Sequence, residues 1–225
     1  MKLVIGNRNY SSWSVRPWLV LTHFGIPFEE ELALLSGDGW KEALRRKSPT
    51  ARVPVLVDGD LVIPETVAII EYLAERYPDR GIWPAEREAR ALARAAAAEM
   101  HAGFTALRGA APMNLRASLP GRIPYDKVEA DLERLEALWD GLLARSGGPY
   151  LFGSFTAADA MFAPVAGRIR TYELPVSDTA AGYVDAIYAL PAFQSLLSEA
   201  AAEPWTVERD ELDIVLSGRA FTDQS

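Results

Sequence analysis

The chain of 225 residues has no cysteine and only two histidines, His23 and His101. The absence of cysteine excludes disulfides, thiolate metal sites and every mechanism in which the protein itself supplies a nucleophilic thiol. Two histidines far apart in sequence give poor support to a histidine-rich metal site or a Ser-His-Asp triad. We therefore expect no metal, and any sulfur chemistry must come from a ligand.

Positive charge is scarce, and long apolar runs are missing. The formal net charge is -8, which argues against a protein that binds by neutralising phosphates, so we expect neither nucleic acid nor membrane as a partner. No apolar run is long enough to span a bilayer. The start of the chain reaches polar Asn7 too soon for the apolar core of a signal peptide. The expectation is a soluble, cytoplasmic protein.

Residues 1–78 alternate strand-like and helix-like patterns, which indicates a compact α/β layer in the order β-α-β-α-β-β-α. Two of the strands are joined by the tight turn Asp58-Gly59. The predicted elements are strand 3–5, helix 15–24 with Ser14 as N-cap, edge strand 28–35, helix 40–47, strands 53–57 and 61–63, and a helix opened by residues 64–66.

Beyond residue 78 the chain becomes helical. Residues 79–87 are rich in turn formers and are predicted to be a linker. Residues 88–225 are predicted to form an all-helical bundle, because apolar residues recur at helical spacing. The predicted helices cover 86–107, 125–145, 156–171 and 180–202. Thr156 and Asp159 have capping-box spacing, a structural feature of the third of these helices.

A cluster of hydroxyls, Ser11, Ser12 and Ser14, lies between the first strand and the first helix. Unpaired N–H groups and a partial positive charge at a helix N-terminus stabilise anions, and a hydroxyl at that place can hold a thiolate. The alternative for the same residues is a helix-capping run.

Two further motifs have both a structural and a functional interpretation. Glu65-Thr66 opens the third helix, where an acid and a hydroxyl favour capping, or together suit the amino and carboxyl groups of an amino acid. Val53-Pro54 opens a strand, so the proline lies at a sheet edge or the peptide is cis. By the sequence alone the trans edge is favoured.

These motifs resemble those of the cytosolic glutathione transferases over nearly the whole chain. The resemblance rests on the hydroxyl cluster, on 52–56 (Arg-Val-Pro-Val-Leu), on 65–69 (Glu-Thr-Val-Ala-Ile), and on a proline-rich linker before a helical domain. It implies a thioredoxin-like first domain with a mixed four-stranded sheet, an all-helical second domain, a cis Val53-Pro54 peptide, glutathione as cosubstrate and a homodimer.

Residues 11–16 are most similar to the zeta-type pattern Ser-Ser-Cys-Ser-x-Arg, with Trp13 in place of the cysteine. The resemblance implies that Ser11 activates the thiol of glutathione and that Ser12 is a neighbouring ligand, with Tyr10 as the alternative hydroxyl. Lowering a thiol pKa by about 2 units takes about 2.7 kcal/mol. A hydrogen bond to a charged group contributes about 1.5–3 kcal/mol, and the helix N-terminus adds about 0.3–1 kcal/mol, so Ser11 is sufficient.

The resemblance also implies which residues bind the other parts of glutathione. It implies that Glu65 and Thr66 bind the γ-glutamyl end and that the backbone of Val53, before cis Pro54, pairs with the cysteinyl part. Arg52 suits the glycyl carboxylate, and Trp40 and Lys41 are further candidates for that end.

Three functions are compatible with these motifs. The first is a glutathione transferase that attacks a small electrophile held near Trp13 and Met113. The second is a zeta-like glutathione-dependent isomerase or dehalogenase, and the third is a non-catalytic binding module with the same fold. In the C-terminal tail, 204–225, Trp205 is the expected anchor and the remainder is expected to cover the pocket.

Overall fold

The computed structural model describes residues 1–212, so the end of the predicted second domain and of the tail, residues 213–225, lies outside the described part. The first domain contains, in chain order, β1 (Lys2–Ile5), α1 (Ser12–His23), β2 (Glu29–Leu32), α2 (Trp40–Arg45), β3 (Val55–Asp58), β4 (Leu61–Pro64) and α3 (Thr66–Arg76). The predicted order of elements is confirmed.

The four strands form one mixed sheet in the order β2-β1-β3-β4. β1 runs parallel to β2, which requires the crossover through α1, and β3 is antiparallel to both β1 and β4. Acidic β2 lies at an edge as predicted, where its charged side chains reach solvent. The thioredoxin-like fold of the first domain is thereby confirmed.

Helix α1 begins three residues earlier than predicted. Its N-cap is Ser11 rather than Ser14, so the predicted cap is wrong. The Ser14 side chain lies inside the first turn, where its Oγ accepts a hydrogen bond from the N–H of Gly6 at 3.0 Å. Gly6 allows a close approach, because a Cβ there would lie 2.6 Å from the Leu35 side chain and 3.1 Å from Ser11 Cβ, and these side chains would have to shift. The hydrogen bond between Gly6 and Ser14 holds the start of α1 against the end of β1.

The Val53-Pro54 peptide is cis, as the resemblance implies, and the trans form favoured by the sequence alone is wrong. Pro54 precedes β3, whose pairing with β1 and β4 begins at Val55. The missing N–H of the proline therefore costs no hydrogen bond of the sheet, and central β3 tolerates it.

A 3-10 turn, Pro78–Arg80, follows α3 and leads into the helical domain. The α-helices of this domain are α4 (Arg87–Ala102), α5 (Thr105–Ala110), α6 (Glu129–Ser146), α7 (Ala157–Tyr172), α8 (Asp178–Ala189) and α9 (Pro191–Ala202). Short 3-10 turns lie at Tyr125–Lys127 and Glu208–Asp210. In the described part of the chain, no helix has the length and apolarity needed to cross a membrane.

Two predicted helices are each split in two. The predicted helix 86–107 breaks at Gly103, where a Cβ would lie 2.9 Å from the carbonyl oxygen of Glu99, and Phe104 is left-handed with φ 55°. The predicted helix 180–202 breaks at Leu190, because Pro191 starts a new helix at its first position.

Helix α7 is the centre of the helical domain and is buried over nearly its whole length. It packs against α1 of the first domain and against α4 and α8. The aromatic rings of Trp139, Phe162 and Tyr183 meet edge to face beside it. The two domains therefore share a core, and the N-terminal end of α1 is held between them.

Candidate active site

A cavity of about 690 Å³ opens where the N-terminal end of α1 meets the helical domain. The first domain and the C-terminal segment after α9 both contribute to it, together with α5 and α7. Its lining comprises Tyr10, Ser11, Ser12, Trp13, Leu35, Trp40, Leu44, Ala51, Arg52, Val53, Thr105, Arg108, Gly109, Pro112, Met113, Arg168, Arg209 and Asp210. Four of the predicted site residues, Ser11, Ser12, Arg52 and Val53, are thus brought together.

Ser11 lies at the N-cap of α1, with its side chain almost buried at the cavity wall. Its N–H donates to the carbonyl of Asn7 at 2.8 Å, and the Asn7 side chain accepts from the N–H of Leu35 at 3.0 Å. The Ser11 hydroxyl is 2.8 Å from that of Ser14, which in turn accepts from Gly6. Ser11 therefore has a fixed backbone and a supported hydroxyl.

The Tyr10 hydroxyl is engaged elsewhere. It donates to a carboxylate oxygen of Glu211 at 2.5 Å and accepts from the guanidinium of Arg116 at 2.9 Å. Burial, followed by the hydrogen bond to Glu211, raises the pKa of Tyr10 above its ordinary value. These partners lie in the second domain and the C-terminal segment, so the geometry favours Ser11 over Tyr10 as the hydroxyl facing a thiol.

Glu65 and Thr66 begin α3 beside the cavity rather than in its lining. The Glu65 carboxylate caps the helix by accepting from the N–H groups of Val67 and Ala68. Glu65 has φ +87°, a conformation that non-glycine residues rarely adopt and that clusters at ligand-binding sites. The Thr66 hydroxyl donates to the carbonyl of Trp13 at 3.0 Å, which ties α3 to the first turn of α1.

Among the other predicted residues, Arg52 and Val53 line the cavity, whereas Lys41 and Pro54 are not part of its lining. Arg52 is exposed and Val53 is partly buried, both on the segment before buried Pro54. Trp40 also lines the cavity, and the Nζ of Lys41 is 5.9 Å from the Trp40 ring centroid. Because the ladder begins at Val55, the backbone N–H and C=O of Val53 lie beyond the pairing between β3 and its neighbours.

Arginines of the helical domain form a part of the site that our sequence analysis missed. Arg108 on α5 and buried Arg168 on α7 both line the cavity, and buried Arg16 lies behind it on α1. Each donates to backbone carbonyls: Arg16 to Ser12 and Met161, Arg108 to His101 and Gly103, and Arg168 to Ala111 and Pro164. The carbonyls carry no formal charge, but carboxylates also act on these guanidiniums, Asp131 on Arg108 and Asp210 on Arg168.

The three guanidiniums also influence one another. Burial, and then the neighbouring Arg108, lowers the pKa of Arg168 to about 10. Burial and the charges of Arg168 and Arg108 hold the pKa of Arg16 well below its ordinary value. The described lining contains four arginines, Arg52, Arg108, Arg168 and Arg209, and one carboxylate, Asp210, so the cavity is cationic despite the overall negative charge of the chain. The signal in the sequence is weak, because α7 contains three charged residues, Asp159, Arg168 and Arg170, and Arg168 alone of them lines the cavity.

The predicted apolar wall is present in part. Trp13 and Met113 both line the cavity, and the Trp13 ring also has the guanidiniums of Arg16 and Arg108 at 4.2 and 4.9 Å from its centroid. The Trp13 side of the pocket is therefore polar as well as apolar, which the sequence did not indicate.

The predicted anchor of the C-terminal tail is wrong. The Trp205 ring is 38% exposed, and only its carbonyl is used, as an acceptor for Arg116. The segment is held instead by buried Glu203, whose carboxylate accepts from the N–H groups of Arg8 and Asn9, and by buried Val207. The described tail residues Arg209 and Asp210 do line the cavity, as expected of a cover.

Two family models match this chain. The model described as glutathione S-transferase, N-terminal domain, matches residues 10–76, and the one described as glutathione S-transferase, C-terminal domain, matches residues 124–194.

Curated relatives and solved structures agree with these matches. A probable maleylacetoacetate isomerase of Caenorhabditis elegans is 31% identical over 76% of this chain and 79% of its own length. Glutathione S-transferase Z1 of Arabidopsis thaliana is 30% identical over 84% and 88%. A Burkholderia glutathione transferase homolog, solved with bound glutathione, is 26% identical with a TM-score of 0.70, covering 90% of this chain and 98% of that one. A bacterial zeta-class maleyl pyruvate isomerase is 25% identical with a TM-score of 0.68, covering 92% and 100%.

The thioredoxin-like domain, the helical domain and the hydroxyl at their junction define an enzyme of the glutathione transferase type. The chain belongs to the glutathione transferase superfamily and has the zeta-like pattern. The predicted family and enzyme class are thereby confirmed, which disfavours the alternative of a non-catalytic binding module.

Proposed function

We propose that this enzyme uses glutathione as its cosubstrate, that the Ser11 hydroxyl stabilises the glutathione thiolate, and that the thiolate attacks a small electrophile that carries a carboxylate. The observation that carries the proposal is that Ser11, Arg108 and Arg168 line the same cavity.

The hydrogen bonds around Ser11 suit the stabilisation of a thiolate. Ser14 Oγ accepts from the N–H of Gly6 and lies 2.8 Å from Ser11 Oγ, and either hydroxyl of this pair can donate to the other. When Ser14 donates to Ser11, the Ser11 hydrogen is free to donate to the sulfur. Hydrogen bonds that form a chain polarise one another, and each of them becomes stronger. The N-terminus of α1 adds its partial positive charge. Ser12, whose side chain also lines the cavity, is the neighbouring ligand.

The rest of glutathione follows from the positions of the other residues. We assign its γ-glutamyl ammonium to Glu65 and its α-carboxylate to Thr66 at the N-terminus of α3. The backbone of Val53, held by cis Pro54, pairs with the cysteinyl part. The glycyl carboxylate then lies toward Arg52, Trp40 and Lys41.

Arg108 and Arg168 determine the class of electrophile. A guanidinium binds a carboxylate through two parallel hydrogen bonds, and such charge-assisted bonds are the strong ones. A carboxylate held there places the reactive carbon next to the sulfur, which raises the rate by proximity. In conjugation the sulfur forms a bond to that carbon and a leaving group departs with its electron pair, or a proton is taken up after addition to a double bond.

Isomerisation is the second candidate. Its support is that relatives are named for maleylacetoacetate and maleyl pyruvate, which are unsaturated carboxylic acids of the kind that the arginines suit. The thiolate would add to the double bond, the resulting single bond would rotate, and the sulfur would leave with its electron pair. Glutathione is consumed by conjugation but regenerated by isomerisation, so its concentration at the end of the reaction separates the two.

The Ser11→Ala variant tests the thiolate assignment. Loss of one hydrogen bond to a charged sulfur is expected to raise the pKa of bound glutathione by about 1–2 units and to lower kcat near pH 7 about 10- to 100-fold. The measurement is the pH dependence of the thiolate ultraviolet absorbance in the complex, together with the rate of conjugation.

Tyr10→Phe and Ser12→Ala provide the comparison, because each removes one neighbouring hydroxyl. The assignment is wrong if Ser11→Ala leaves the pKa of the bound thiol unchanged, or if Tyr10→Phe raises it more. Absence of glutathione binding by the folded wild-type protein would overturn the proposed function as a whole.

A homodimer and a cytoplasmic location remain predictions that accompany this function. Support for the dimer comes from exposed apolar side chains near the junction of the domains, Leu61 and Val62 on edge strand β4 and Leu92 on α4. The partner that suits these surfaces is a second copy of the chain.

A further inference from the structure

The last described part of the chain, residues 203–212, is here named the C-terminal strap. It leaves the end of α9 and lies across the first domain. Glu203 binds the N–H groups of Arg8 and Asn9, and Glu211 accepts from Tyr10. Both contacts involve residues directly before Ser11, so the strap is fixed to the loop that carries the proposed thiol-activating hydroxyl.

The centre of the strap is embedded in the first domain. Val207 is buried in a small apolar cluster with Tyr10, Leu35 and Leu44. A single 3-10 turn, Glu208–Asp210, follows directly. Because Val207 is fixed before this turn and Glu211 after it, the side chains of the turn have defined positions over the cavity.

Arg209 is placed by this turn over the indole of Trp40. Its guanidinium carbon is 5.1 Å from the Trp40 ring centroid, a distance at which a cation is attracted to the ring. Its Nε is 3.6 Å from a carboxylate oxygen of Asp210. Arg209 lines the same cavity as Arg52 and Val53, and so brings a cation of the second domain to the end of the cavity formed by the first.

We propose that Arg209 binds the glycyl carboxylate of glutathione, so that the C-terminal strap closes over the bound tripeptide; this inference rests on the proposed function. Glutathione has two carboxylates. The one at the γ-glutamyl end is assigned to the start of α3, and the glycyl one lies at the Trp40 end, where Arg209 is held. Stacking on the indole restricts the guanidinium before the ligand arrives, which lowers the entropic cost of binding.

The test is calorimetric titration of the full-length protein with two ligands, glutathione and its glycyl monoethyl ester, in which a neutral ethyl ester replaces the charged glycyl carboxylate. We expect Arg209→Ala to weaken glutathione binding about tenfold, as for loss of one charge-assisted hydrogen bond. Binding of the ester should change less than about twofold, because its glycyl end carries no charge for Arg209 to pair with. Arg209→Lys should retain part of the preference for the free carboxylate.

Arg145→Ala, at an exposed position near the end of α6, removes the same charge and is the matched control. Circular dichroism and melting temperatures establish that each variant is folded. Equal weakening of both ligands by Arg209→Ala would mean that Arg209 only holds the strap, and the inference would be wrong. Unchanged glutathione affinity in Arg209→Ala overturns this inference alone, whereas a wild-type protein that does not bind glutathione overturns the proposed function with it.

Discussion

Trp13 contacts two guanidiniums beside the cavity. The zeta-type pattern has a small cysteine at this position, whereas the indole here has Arg16 and Arg108 within 5 Å of its centroid. The ring partly offsets the repulsion between the two cations, because the face of an indole attracts positive charge. Trp13 thus helps to hold Arg108 beside the cavity, where the charge of Asp131 also acts on its guanidinium.

Arg108→Gln is expected to change the preference for charged electrophiles. The probes are 4-chloro-3-nitrobenzoate and its methyl ester, which share one reactive carbon and differ in charge. Loss of a charge-assisted hydrogen bond should lower kcat/KM for the benzoate about tenfold, with a change of less than about twofold for the ester.

Arg145→Gln is the control for this experiment, because it changes the net charge equally at a distant exposed site. Arg108 also donates to the carbonyls of His101 and Gly103, so melting temperatures are measured in parallel. A parallel fall for benzoate and ester would show that Arg108 supports the shape of the pocket rather than recognising a carboxylate.

At the scale of the element, α7 depends on a buried capping box. The carboxylate of Asp159 accepts from the N–H and the hydroxyl of Thr156, from the N–H of Leu151 and from the hydroxyl of Tyr183. The predicted structural role of Asp159 thus has a geometric basis. Burial, opposed by these hydrogen bonds, raises the pKa of Asp159 from 3.8 to about 6.

The raised pKa predicts a pH-dependent contribution to stability. The folded protein binds the proton of Asp159 more tightly than the unfolded chain does, so the stabilising contribution is fully present below pH 3.8 and is lost as the pH rises through about 6. Lowering the pH from about 6 to about 4 should therefore raise the free energy of unfolding of the wild type relative to that of Asp159→Asn. The gain is at most about 1.4 kcal/mol per pH unit.

Chemical denaturation at several pH values measures this difference. Asp178→Asn, an exposed carboxylate in the first turn of α8, is the matched control. A pH dependence of equal size in the control, or a shift in the opposite direction for Asp159→Asn, would contradict the prediction.

For the whole molecule, the surfaces beside the junction of the domains carry the proposal of a dimer. Leu61 and Val62 are 47% and 43% exposed on β4, and Leu92 is 36% exposed on α4. Arg94 on α4 forms two hydrogen bonds with Glu71 on α3, and α3 packs against β4, so α3 links the two elements that carry these apolar residues.

Leu61→Arg combined with Leu92→Arg is expected to produce a monomer, because two charges buried in an apolar interface without partners are costly. Light scattering after gel filtration measures the mass. Tyr125→Arg is the control, since Tyr125 is also exposed, at 41%, but lies before α6. A monomeric wild type, or dissociation by Tyr125→Arg alone, would show that the dimer is absent or uses another surface.

The sequence by itself determined the family, the order of elements in the first domain and four residues that line the cavity, Ser11, Ser12, Arg52 and Val53. These follow from local patterns: the run Ser11-Ser12, the Val53-Pro54 pair and the Glu65-Thr66 pair each lie on a short stretch whose conformation is set by its own residues and neighbours. The sequence did not locate all the ends of the helices. The start of α1 and the breaks at Gly103 and Leu190 depend on close backbone contacts and on the N-terminal preference of proline.

Only the tertiary structure decided the cationic side of the cavity, the occupation of the Tyr10 hydroxyl by Glu211 and Arg116, and the placement of Arg209 over Trp40. These residues are separated by tens to hundreds of positions along the chain. The residues next to an arginine in the sequence do not indicate whether its side chain faces solvent or a cavity. Which of the two it faces is decided by the packing of α7 against α1 and by the path of the C-terminal strap.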